Sequence, residues 1–128
     1  MDYDAYSNYH AVNLKAQTAN ASPVQLVLIL MDGLLEELAR ARAHIAVKRY
    51  EHKARSLDKC VDILNGLSSA LDFDNGGEVV VNLARLYDYC GARLYQAGID
   101  MDASVIDEVT GLLTRIRNGW DAVQVAHG

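Results

Sequence analysis

The fold this sequence predicts is all-α: an antiparallel four-helix bundle with an additional short N-terminal helix or extended segment. Three observations point there. The 128 residues include a single proline, long Leu/Ala/Glu/Arg-rich stretches carry apolar residues at helical spacing, and short polar breaks separate those stretches. The length suits one domain with a real core, divided into a polar leader over residues 1–20 and a bundle over 22–126.

In the leader, Tyr3, Tyr6 and Tyr9 recur every third residue and Val12 follows, so a helical leader would gather them on one face. The first long helix is expected from Pro23 to Val47. Ser22 is placed to accept an early backbone N–H, Pro23 takes the first helical position where its missing donor costs nothing, and Gln25 completes a capping box. Val27, Leu30, Leu34, Leu38, Ala41 and Ile45 form one apolar stripe, and Val24, Leu28, Met31 and Leu35 form a second beside it. One stripe can face a core. The second calls for a further helix, from this chain or from a partner. Gly33 inside this helix costs about 1 kcal/mol relative to alanine, which suggests that its space is used, either by a partner's backbone or by tight packing within the bundle.

A turn over 48–50 leads to a second helix, Glu51 to Leu71, with the stripe Leu57, Cys60, Val61, Leu64, Leu67 and Leu71. Asp72-Phe73-Asp74-Asn75-Gly76-Gly77 reads as a loop whose acids and asparagine suit the cap of the next helix. That third helix, Glu78 to Ala97, carries Val80, Leu83, Tyr87, Cys90, Leu94 and Ala97 on one side, and Gly98 is expected to stop it. Val79-Val80-Val81 is strand-like in composition, but the 3.6-residue period that continues through Leu94 favours helix. Asp100 or Asp102 would cap a fourth helix over Ala103 to Val123, with Val105, Val109, Leu112, Ile116 and Val123 flanked by Ile106, Leu113 and Trp120. Tyr87 and Tyr89 are expected in the core or at its edge.

The net charge is −5, unevenly spread: residues 40–59 hold seven Lys/Arg against two acids. This segment straddles a turn and has no stacking aromatic beyond Tyr50, so it reads as a solvated turn and not as a nucleic-acid site. No apolar run reaches the roughly 18 residues of a membrane span. With no secretory signal in the acidic Met1-Asp2-Tyr3-Asp4 and no C-x-x-C, Cys60 and Cys90 are expected reduced and buried in a cytoplasmic protein.

Catalytic and metal chemistry find little support. No Glu-x-x-His pair suits a carboxylate-bridged metal centre, and His10, His44, His52 and His127 fall in tails, turns or polar faces. Nucleotide-binding and nucleophile-elbow motifs are absent from the sequence. Asp72, Asp74 and Glu78 would repel an anion from Gly76-Gly77. The expectation is therefore a protein that is not an enzyme, has no cofactor or metal, and works through its surface.

Taken together, these residues resemble the FliS family of flagellar export chaperones. The matching pieces run in order: Tyr9 with Val12; Ser22-Pro23 and Gln25-Leu26; Leu30 and Asp32-Gly33; Gly76-Gly77-Glu78; Asn82-Leu83; Leu86-Tyr87-Asp88-Tyr89; Arg93-Leu94 with Ala97; Glu108-Val109; Gly111-Leu112-Leu113; and Trp120. Met31 stands where family members usually carry an aromatic, and Gly91 where a larger apolar residue is common. The resemblance implies a cytoplasmic chaperone that binds the disordered C-terminal segment of flagellin, prevents premature polymerisation and assists delivery to the type III export apparatus, with an export-gate component as a further partner. It also implies that the leader covers a hydrophobic groove until flagellin displaces it, with Tyr6 and Tyr9 as the cover. The groove itself is expected from Leu26, Leu30, Met31, Gly33 and Leu34, helped by Leu67, Leu71, Leu83 and Tyr87. The chain alone would be a monomer or a homodimer. An alternative is a helical homodimeric or regulatory interaction protein without flagellin specificity.

Overall fold

A computed structural model describes residues 21–127, which form helices α1 (Pro23–Ala46), α2 (Tyr50–Ser69), α3 (Gly77–Asp100) and α4 (Ala103–His127). Among the described residues there is no strand. Each helix packs on its neighbour in sequence and α4 returns against α1, closing a four-cornered bundle. None of the described helices is long and apolar enough to cross a membrane.

The start of α1 follows from local chemistry. Ser22 Oγ accepts from Gln25 N at 3.2 Å while Ser22 N donates to Gln25 Oε1 at 2.8 Å, with Pro23 at the first helical position. At the other end Lys48, with φ 58°, reverses the chain within three residues.

Both loop expectations for α3 need correction. The Asp72–Asn75 side chains serve the loop itself: Asp72 accepts from the backbone N–H groups of Asp74 and Asn75 and from Asn75 Nδ2. Gly76 caps α3 without a side-chain hydrogen bond. A Cβ at Gly76 would collide with the Val80 side chain and lie 2.9 Å from Asp72 O, so glycine is required by the close approach of the loop. Gly76→Ala is expected to lower unfolding free energy by about 1–3 kcal/mol, measurable by urea denaturation. Gly98, in turn, does not stop α3. The helix runs on to Asp100 and ends at Met101 in the left-handed conformation, φ 53°. Gly98 instead admits α2, because a Cβ there would stand 2.9 Å from Leu57 Cδ1. The cap expected from Asp102 is present, with Ser104 N donating to Asp102 Oδ1 at 2.9 Å.

Val79–Val81 lie in the first turns of α3, as the period predicts. The core joins Met31, Leu34, Leu38, Ala41 and Ile45 of α1 to Leu57, Cys60, Leu64 and Leu67 of α2; Tyr87, Cys90, Leu94 and Ala97 of α3; and Val105, Ile106, Val109 and Leu113 of α4. Cys60 and Cys90 are free thiols with no exposure. Burial pushes both thiols upward, Cys90 to about 11, so neither is a ready nucleophile. Tyr89 lies outside this core: it is 43% exposed, and its hydroxyl donates to Glu108 at 3.2 Å.

Cross-helix ion pairs set the placement of α4. Arg42 forks onto Asp107 at 2.6 and 3.1 Å, Arg117 reaches Asp32 at 3.0 Å, and Arg93 reaches Glu108 at 2.9 Å. These pairs are solvent-exposed and contribute more to registry than to stability. Between α2 and α3, Lys53 Nζ donates to Gly98 O at 3.0 Å.

Candidate functional site

The surplus apolar character of α1 is partly absorbed within the chain. Because α1 packs on both α2 and α4, its inward arc must be wide enough to include members of both stripes. Met31 and Leu34 consequently have no exposure. This corrects their expected place in an open groove: both are sealed in the core. Leu30 is half-buried against that core. Tight packing at Gly33 is not found: apart from its chain neighbours and its own helix backbone, no described atom lies within 4 Å of a Cβ built there.

Where the bundle does open is at the end that gathers the start of α1, the end of α2, the start of α3 and the later turns of α4. A cleft of about 340 Å³ is walled there by Val27, Leu67, Leu71, Val79, Val80, Leu83, Tyr87 and Trp120, with Asp72 and Asn75 at its edge. A second opening of about 360 Å³ continues it through the shared Val27, Ala70 and Trp120 to Ala21, Pro23, Val24 and Leu26. Of the expected groove residues, Leu67, Leu71, Leu83 and Tyr87 meet in the first opening and Leu26 lines the second. Tyr6 and Tyr9 lie outside the described residues. Ala21, the first described residue, lines the second opening.

The cleft is lined by apolar side chains that range from the buried Leu67, Val80 and Tyr87 to the exposed Val79. Tyr87 is only 3% exposed and lines the cleft together with Trp120. Burial raises the Tyr87 pKa more than the neighbouring Trp120 lowers it, so the phenol stays protonated and keeps an O–H to donate. At the edge, Asp72 is held below the usual carboxylate range, chiefly by the Asn75 side-chain bond. The rim therefore stays anionic above an apolar interior.

A third opening, about 270 Å³, runs between α2 and α3 past Lys53, Leu57, Val61, Leu94, Tyr95 and Ile99. Tyr95 and Ile99 are 72% and 60% exposed. The sequence reading did not single them out, although an apolar pair at i,i+4 on the side of α3 away from its core stripe is a legible sign of this surface. Val79 was likewise missed as a wall residue, because the core-facing stripe of α3 passes through Val80.

The walls of these openings are mainly apolar. Shape and composition suit the apolar face of another helix.

Comparison with known proteins agrees with this architecture. The family model described as "Flagellar protein FliS" matches residues 5–127. Flagellar secretion chaperone FliSB of Pseudomonas aeruginosa is 40% identical over 119 residues, covering 93% of this chain and 94% of the relative. Flagellar secretion chaperone FliS of Salmonella typhimurium is 40% identical over 116 residues, covering 90% and 86%. The Vibrio cholerae protein of the same name is 31% identical over 115 residues, covering 90% and 85%. With its four-helix architecture and near full-length match, the chain belongs to the FliS family of flagellar proteins.

Proposed function

We propose that this chain is a flagellar export chaperone that binds the disordered C-terminal segment of flagellin in the cytoplasm, prevents its premature polymerisation and assists its delivery to the type III export apparatus. The observation that carries this reading is the open apolar cleft bounded by Val79, Leu83, Tyr87 and Trp120. An amphipathic flagellin segment folds as it enters. Its ordering costs entropy, and each large apolar side chain it buries returns roughly 1.5–3 kcal/mol. The Tyr87 hydroxyl fixes register by meeting an acceptor on the guest. Gly33 leaves room on α1 for a backbone to approach.

Tyr6 and Tyr9 cover the cleft until flagellin arrives. Phenols suit this role because they pack as apolar bodies and keep a wet hydroxyl. The free chaperone is thus shielded from nonspecific association, at the cost of an apparent affinity lowered by the covered fraction. The double variant Tyr6→Ala/Tyr9→Ala is expected to bind more of a hydrophobic fluorescent dye than the parent chain. Equal dye fluorescence would remove the cover from the account.

The direct test is co-purification with flagellin that retains or lacks its C-terminal segment. Capture of the first and not the second is the expected result. Equal recovery of both, or a concentration-independent homodimer that ignores either flagellin, would favour a self-assembling helical protein instead.

A further inference from the structure

At the end of the bundle where α1 hands over to α2, His44 and His52 stand with ring centroids 5.2 Å apart and planes tilted by 39°. His44 Nδ1 is buried and, among the described residues, is the one buried side-chain nitrogen or oxygen without a hydrogen-bond partner. A native buried polar atom in that condition calls for a water or an ion. Two imidazoles bound to one tetrahedral ion at roughly 2.0–2.1 Å have centroids about 5 Å apart. The pair already has that spacing.

We infer that His44 and His52 form a two-histidine site for a borderline divalent transition ion of the zinc or nickel class, which clips α1 to α2. The short connection between the helices preorganises it: Arg49 N donates to His44 O at 2.9 Å, Lys48 N to Ile45 O at 3.1 Å and Lys53 N to Arg49 O at 2.8 Å. The two histidines come from different helices, so ion binding joins elements and does not merely decorate one surface. Imidazole suits this class of ion, and the neutral ring is the form that ligates. Arg49 opposes a cation here and Glu37 favours one. No group of three His, Cys, Asp or Glu suited to a metal occurs among the described residues. Water therefore completes the coordination shell, and the affinity is modest beside that of a closed structural zinc centre.

The test uses the full chain, treated with chelator and carrying His10→Ala and His127→Ala, so that of its four histidines only His44 and His52 remain. Zinc chloride and nickel chloride are titrated separately, following heat by calorimetry and, for zinc, the imidazole ¹⁵N resonances. One saturating equivalent is expected, with both imidazoles shifted. Loss of even an outer-shell partner costs metal sites 10–100-fold, so removing a ligand by His52→Ala should weaken binding at least about tenfold. His52 is exposed, and circular dichroism of His52→Ala checks that the fold is kept. No heat and no imidazole shift at millimolar metal would overturn the site and leave His44 Nδ1 to water. Binding undiminished in folded His52→Ala would overturn it equally, as adventitious.

Discussion

Leu83→Asp is expected to weaken capture of the flagellin C-terminal segment at least about 100-fold, because a carboxylate in the cleft must either lose water beneath the guest or keep the guest away. Leu83 is half-buried against the core, so circular dichroism must accompany the binding measurement. Val79→Asp supplies the variant least able to disturb folding, since Val79 is 67% exposed while forming part of the same wall. It should weaken capture roughly tenfold with an unchanged melting midpoint, consistent with the small stability effects usual for surface substitutions. Wild-type affinity in both folded variants would place the guest elsewhere on the bundle.

A different kind of effect is expected one layer below. Leu34 has no exposure and sits where α1 must satisfy both α2 and α4. Leu34→Ala should cost about 2–5 kcal/mol, from lost transfer free energy plus the cavity left behind. For a domain of this size that lowers the melting midpoint by roughly 10 °C. Any accompanying loss of flagellin capture should be recovered at low temperature, where the folded fraction is restored. An unchanged melting midpoint with abolished capture would mean that Leu34 is a contact residue after all. The contrast between Leu34 and Val79 separates the residues that hold the bundle together from those that meet the guest.

The four helices were legible because each has a repeating apolar period and a local punctuation mark. Ser22-Pro23-x-Gln25 stated the start of α1 down to its reciprocal hydrogen bonds, while for α4 the sequence offered Asp100 or Asp102 and the structure selects Asp102. Gly98 misled because a glycine after a helical run signals a stop and a close helix approach with the same letter. Only the position of Leu57 on a neighbouring helix tells them apart. The Asp72–Asn75 segment misled similarly, since side chains able to cap a helix are equally able to brace a loop.

For the site, the sequence revealed that α1 carries more apolar surface than one neighbour requires, but not how that surface is shared. Packing against two helices sends Met31 and Leu34 inward and leaves Leu26 and Val27 at the opening. Trp120 shows the same limit. Its spacing placed it beside the α4 stripe, whereas its place beside Tyr87 and between two openings depends on how α3 and α4 meet. The His44–His52 pair, joined across a turn, was invisible to any search within one helix.

Trp120 is the single tryptophan of the chain and borders both halves of the end cleft, so its emission reports directly on whether a guest helix occupies that space. Titration with a tryptophan-free peptide of the flagellin C-terminal segment, with binding followed independently by anisotropy of a label on the peptide, is the decisive measurement. The account predicts a blue shift of Trp120 emission that saturates together with the anisotropy at one peptide per chain. A complex that forms fully while Trp120 emission stays unchanged would contradict it.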